Sequence, residues 1–166
     1  MGTKIAAVSN TGPIIHLKEI GAEKAFSLFS IIVPVGVKEE VSNLLPNFFV
    51  VEKDFDNDIV QFLQNVHRLG LAESQCIALA KAKNISLFLT DDLDARIASQ
   101  QYSLEPHGTI GILLKAFKAK IFSKKQAIEF VCKLKSDSTL YITTDLIQFI
   151  IQEIEKSWMI MKELEI

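Results

Sequence analysis

Five acids and one amide stand where chemistry on phosphate esters would want them. Asp91-Asp92-Leu93-Asp94 places three carboxylates within four residues, directly after the apolar run Ser86 to Thr90. Their mutual repulsion needs an offset. A helix N-terminus supplies one, with Asp91 as the capping residue and Asp92 and Asp94 in a first turn whose dipole favours anions. Arg96, four residues after Asp92, is spaced to pair with it. A divalent cation held by oxygen ligands supplies the other.

Two glutamates join this cluster on geometric grounds. At 100° per residue from Val37, Val41 and Leu44 fall within about 40°, Glu40 lies at about 300° on the flank of that apolar stripe, and Glu39 at about 200° faces solvent. Glu73 shares one helical face with Cys76, Ile77 and Ala80, so an acid occupies an apolar stripe. There it is costly unless it is paired, metal-bound or able to reach water at the helix start. Asn10 follows the apolar run Ile5 to Val8. Asn10, Glu40, Glu73 and Asp92 are far apart in sequence, yet each lies near a strand end or a helix start. That oxygen-only set suits Mg²⁺ or Mn²⁺ acting on phosphate esters.

The elements that must position them follow from periodicity. Ile5–Val8, Ile31–Val35 and Ser86–Thr90 are short apolar runs of buried strands, and Phe48–Val51 is a third strand or an extended loop. Thr11 and Pro13 start a helix through Ile14, Leu17 and Ile20 that breaks near Gly21. Val37, Val41 and Leu44 mark a helix stopped before Pro46. Ile59, Phe62, Leu63 and Val66 mark one broken by Gly70. Another helix carries Cys76, Ile77 and Ala80, and Asp91–Gln100 is helical with Leu93, Ile97 and Ala98 inside. A weak strand near Leu104 precedes Gly108, after which the chain reads helical. Strands alternating with amphipathic helices predict an α/β fold with a mostly parallel sheet covered on both faces, and ligands at the carboxyl ends of its strands.

Several segments together resemble the PIN-domain family. Ser9-Asn10-Thr11-Gly12-Pro13-Ile14-Ile15 resembles its opening D-T-x-x-L/I signature, with Asn10 in place of the first acid. Pro34 to Glu40 resembles the segment bringing the second acid, and Glu73 with Ala78 and Ala80 the D/E-x4-A-x-A pattern of the third. Thr90-Asp91-Asp92 is similar to the T-x-D motif, and Gly108 to Leu113 to a G-T-x-G-I-L segment. The likeness runs over roughly residues 4 to 120. It implies a three-layer α/β/α fold with a central parallel sheet, residues 1–120 forming the PIN-like domain and 121–166 a C-terminal helical extension. It also implies a Mg²⁺- or Mn²⁺-dependent endoribonuclease, with Asn10, Glu40, Glu73 and Asp92 as metal-binding and catalytic residues. The toxin of a type II toxin–antitoxin pair, opposed by an antitoxin protein, is the role such a protein often has.

Composition narrows the field further. Of 166 residues, 49% are apolar and 23% charged, enough for a real core. No apolar run approaches the ~18 residues of a membrane span, and Ile5–Val8 is too short for a secretory signal. Cys76 and Cys132 lack disulfide-framework or zinc spacing and are expected to be buried thiols in a reducing cytoplasm. The net charge of −2 hides an asymmetry: residues 115–135 hold seven lysines against Glu129, a segment of +6 that leaves −8 elsewhere. Lys115, Lys118 and Lys120 are candidate contacts to RNA phosphates, the alternative being a solvated helix face. His16, His67 and His107 have no partner at ligand spacing. The apolar excess of the last helix, with Phe149 and Ile151 outside the stripe of Ile147, Ile150, Ile154 and Trp158, predicts a homodimer or a bound partner peptide. A second reading is a PIN-like RNA- or protein-binding module weakened by the neutral Asn10. Other phosphate-handling α/β enzymes fit less well, since P-loop and dinucleotide glycine motifs are missing and the first strand lacks D-x-D.

Overall fold

The computed structural model describes residues 2–165. Five strands, β1 (Ile5–Ser9), β2 (Phe29–Pro34), β3 (Val50–Glu52), β4 (Leu87–Leu89) and β5 (Glu105–His107), form one sheet in the order β3-β2-β1-β4-β5. Every pairing is parallel. Helices α1 (Thr11–Glu19), α2 (Val35–Val41), α3 (Asn57–Val66), α4 (Leu71–Ala82), α5 (Leu93–Gln100), α6 (Thr109–Lys118), α7 (Lys124–Ser136) and α8 (Thr144–Leu164) fill most of the chain between and after them. The sheet is flanked by helices, as in the α/β/α class expected from the sequence.

Two compact units divide the chain: residues up to Ile15 with Phe26–Thr109, and His16–Ala25 with Ile110 onward. The first holds the sheet. Its centre is dry because β4 is apolar on both faces, Leu87, Phe88 and Leu89 all being buried, the pattern of a strand covered on both sides. Helix α4 packs over β1, β2 and β4 and sends Cys76, Ile77, Leu79 and Ala80 into the core. Both edge strands are three residues long and partly exposed. Pro106 in β5 lacks an N–H, which an edge tolerates.

In the second unit, α7 packs on α8 through Ala127, Val131 and Leu134 on one side and Ile147, Ile150 and Ile154 on the other. Ser123 and Gln126 close a reciprocal capping box at the start of α7, and Thr143 caps α8 by accepting from Leu146 N. Phe149 is 57% exposed, consistent with its place outside the buried stripe.

Three expectations change. Helix α5 begins at Leu93 with Asp92, not Asp91, as its cap. Leu93 and Ile97 are 68% and 54% exposed, and the buried face of α5 is Ala95, Ala98 and Ser99. Small residues let that helix lie close to its neighbours, and the larger apolar ones are left facing outward. Cys76 is buried but Cys132 is exposed, because the core face of α7 passes through Val131 and Leu134 instead. Among the described residues, no helix is long and apolar enough to cross a membrane.

Candidate active site at the strand ends

Strand register brings the first two site segments together. Ser9 pairs with Leu89 across β1 and β4, and the ladder extends one step as Asn10 N donates to Leu89 O at 2.8 Å. Asn10 and Thr90 therefore leave the sheet side by side, 80 residues apart in sequence. Asn10 is 3% exposed and Thr90 fully buried. The amide Nδ2 of Asn10 donates to Thr90 Oγ1 at 3.3 Å and makes a long contact to Glu73 Oε1 at 3.5 Å. Its Oδ1 is buried and has no hydrogen-bond partner. Turning the amide over would not help, since Oδ1 would then face the Glu73 carboxylate, so the chemistry of the neighbours fixes its orientation.

Thr90 also organises the acids that follow it. Its Oγ1 accepts from Asp92 N at 3.2 Å, and Asp92 Oδ1 accepts from Ala95 N at 2.7 Å as the cap of α5. Asp91 turns the other way, accepting from Thr109 N at 2.7 Å and from Thr109 Oγ1 at 2.6 Å. Adjacent carboxylates thus separate into two jobs. Asp91 anchors Thr109 at the start of α6, while Asp92 stays exposed. Arg96, spaced to pair with Asp92, instead brings Nη1 to the Asp91 side. A Cβ added at Gly108 would stand 3.1 Å from that nitrogen and 2.8 Å from Asp91 Oδ1.

Glu73 lies in the first turn of α4, where the helix dipole favours an anion. Its carboxylate folds back over Gly70, so that a Cβ there would fall 2.3 Å from Oε2. The sequence marks Gly70 only as a helix breaker, and its second role is to leave room for this carboxylate. Glu40 is exposed, further out than the flank of the α2 stripe suggests, and accepts a hydrogen bond from Thr11 Oγ1. Gln75 ties the two acid-bearing helices together, its Oε1 accepting from Gly36 N at 2.8 Å between α4 and α2. Gln75 carries no signal of its own in the sequence, and Thr11 is marked there only as a helix start and motif residue, because each acts through a partner dozens of residues away.

The thiol of Cys76 senses both glutamates. Burial pushes its pKa well up, and the negative charges of Glu73 and then Glu40 push it further the same way. The thiol stays protonated and spends its weak donor on Ser9 O, 3.5 Å away. It is a packing residue, not a nucleophile.

Among the described residues, no group of three or more His, Cys, Asp and Glu side chains is placed to hold a metal ion. The donor set still has the chemistry of a hard-cation site. Mg²⁺ typically takes one or two carboxylates and completes its shell with water and substrate phosphate. Here Asn10, 3% exposed, turns its amide nitrogen to the Glu73 carboxylate and leaves its buried Oδ1 orphaned. A buried acceptor without a donor is destabilising, and a cation would satisfy it. Asn10 and Glu73 are together already; Glu40 and Asp92 would turn from Thr11 and Ala95 to join them.

Lys115, Lys118 and Lys120 belong to the second unit, on and just after α6. Lys118 and Lys120 are exposed and Lys115 half-buried. Lys120 pairs with Glu165, and further along Lys124 pairs with Glu155 and Lys133 with Glu129.

An all-parallel sheet flanked by helices, with Asn10, Thr90 and Glu73 brought together at its strand ends, defines the three-layer α/β/α class. A sequence profile described as a PIN domain matches residues 6–156, and the chain belongs to the PIN-domain family. PIN domains are generally nucleases that use divalent metal ions and act on nucleic acids. No curated protein and no solved structure matches the chain.

Proposed function

We propose that the chain is a Mg²⁺- or Mn²⁺-dependent endoribonuclease. The observation that carries this is the orphaned Oδ1 of Asn10 at the carboxyl end of β1, on a buried amide whose Nδ2 meets Glu73. Asn10, Glu40, Glu73 and Asp92 would hold the cation, which when bound activates an attacking water and neutralises charge on the phosphodiester. Thr90 positions two of these residues, donated to by the Asn10 amide and by the Asp92 N–H. Thr11 holds the Glu40 carboxylate. Lys115, Lys118 and Lys120 would take flanking phosphates of the substrate. The toxin role and an antitoxin partner draw support from the family's motifs. A homodimer draws it from the exposed Phe149, Met159 and Ile160 of α8.

One observation favours a second reading, a binding module of the same fold with weakened catalysis. Asn10 brings no charge where the family pattern has an acid. At about 4 Å, one unit charge is worth several kcal/mol of gross attraction to a divalent ion at an effective dielectric of about 20, before desolvation offsets much of it. Incubation of the protein with structured and single-stranded RNA, in Mg²⁺, Mn²⁺ or EDTA, separates the two. Cleavage that needs the ion supports the enzyme. RNA binding without cleavage, together with no heat of metal binding by calorimetry, supports the module.

A further inference from the structure

The second compact unit carries an open cavity of about 370 Å³, near the lower end of the volumes that small-ligand sites occupy. Phe117, Phe122 and Trp158 line its apolar side, and Lys120, Lys162 and Gln126 its polar side. Trp158 is the one tryptophan of the chain and is half-buried. Two ammonium groups approach its ring, Lys162 Nζ at 5.2 Å and Lys124 Nζ at 6.0 Å from the centroid. The fully packed stripe of α8 runs through Ile147, Ile150 and Ile154. One turn later Trp158 opens onto cavity space and lysines.

An aromatic face among ammonium groups, beside space for a second ring, suits a nucleobase flanked by phosphates. The ring stacks with any base, since each has a π-face, and the lysines exchange a weak cation–π contact for a phosphate. We propose that Trp158, with Lys120, Lys124 and Lys162, forms a base-stacking subsite for single-stranded RNA on the C-terminal helices. The choice of RNA rests on the ribonuclease reading above. Lys120 and Lys124 pair with Glu165 and Glu155, and Lys162 adds a third ammonium group at the Trp158 ring. Glu165 is fully exposed, and an exposed ion pair of this kind contributes little. A phosphate can displace it from Lys120 at small cost.

The test uses the full chain in EDTA, which suppresses metal-dependent cleavage, titrated with a short single-stranded 2′-O-methyl oligoadenylate. Trp158 emission reports stacking without a label. Saturable quenching is expected. Polarisation of a labelled oligomer should show affinity falling about tenfold in Trp158→Ala, or ~1.4 kcal/mol, the lower part of the range for base–aromatic stacking. It should fall a few-fold in Lys162→Gln and rise a few-fold in Glu165→Gln. These last two side chains are exposed, so both variants keep the fold even if Trp158→Ala does not. Binding with unchanged Trp158 emission, affinity indifferent to Lys162→Gln and Glu165→Gln, or no detectable binding each overturns the subsite. Quenching without ion-dependent cleavage of RNA would sink the nuclease reading and leave the subsite standing; cleavage with a silent Trp158 does the reverse.

Discussion

Asn10 sits 3% exposed between Thr90 and Glu73, while Trp158 sits half-open beside Lys162 and beside Lys124, which also pairs with Glu155. The two regions carry opposite charge and hold it in opposite ways. At the strand ends, three side chains are fixed by hydrogen bonds to backbone or hydroxyl groups: Asp91 to Thr109, Asp92 to Ala95 N, Thr90 to Asp92 N. On the C-terminal helices, lysines meet carboxylates in exposed pairs that solvent screens. Fixed, partly buried groups suit chemistry, which depends on placement within fractions of an ångström. Exchangeable surface pairs suit capture of a flexible polyanion, which depends on summed charge.

The largest effect expected from breaking this contrast is at Asp92. Asp92→Asn should lower RNA cleavage by on the order of a hundredfold, about 2.7 kcal/mol in barrier. Asparagine caps a helix about as well as aspartate, so the melting temperature should hardly move. Equal cleavage by the two proteins, or cleavage surviving EDTA, would assign the activity to another site or a contaminant.

Asn10→Asp should act in two directions. With Mg²⁺ or Mn²⁺ the added charge should tighten binding about tenfold, an easily resolved difference by calorimetry. Without metal, a carboxylate replaces the amide that now donates to Glu73 across 3.5 Å, and like charges oppose each other. An apo protein destabilised by about 1 kcal/mol would melt about 2–4 °C lower at this chain length. If neither metal affinity nor apo melting changes, Asn10 lies outside the site.

Gly70→Ala sharpens the same contrast with opposite signs for stability and function. The Gly70 backbone, at φ −64°, accepts alanine, and the loss of unfolded-state entropy should add about 0.4–1 kcal/mol of stability. The new methyl meets only the mobile end of Glu73 and must push it aside. Metal affinity should fall a few-fold while melting rises slightly. Unchanged affinity would show that the folded-back Glu73 carboxylate is not the one that binds.

The smallest effect belongs to Glu165. The hydrogen bond and charge of Lys120 hold its carboxyl below the usual carboxylate range. A depressed folded value means the contribution is present above the ordinary carboxylate pKa and is lost as pH falls through the lowered one. Because the group is fully exposed, melting curves of Glu165→Gln and the parent should coincide between neutral pH and about pH 5. A clear separation would mean that this pair is held as firmly as those at the strand ends.

How much of this was legible beforehand depends on the distance over which each feature acts. The apolar runs of β1, β2 and β4, the Thr11–Pro13 helix start and the helix ends near Gly21 and Gly70 are local matters, settled by residues within a turn or a strand of one another. The candidate acids stood out for the same reason, since Glu73 breaks an apolar stripe of its own helix and Asp92 follows a strand. Local periodicity misjudged α5, because which face of a helix is buried depends on what it packs against. Leu93 and Ile97 had the right spacing, and the core took Ala95 and Ala98.

Sequence by itself therefore determined the elements, their class and the short stretches that carry the candidate oxygen donors. Only the tertiary structure decided that Asn10 would meet Thr90, that Asp91 and Asp92 would part, that Glu73 would fold over Gly70, and that Trp158 would stand among lysines from two helices. The physical reason is that propensity and periodicity are properties of neighbouring residues. Contacts across 39, 63 or 80 positions are set instead by strand order and register in a parallel sheet, whose crossovers bring distant chain ends to one edge.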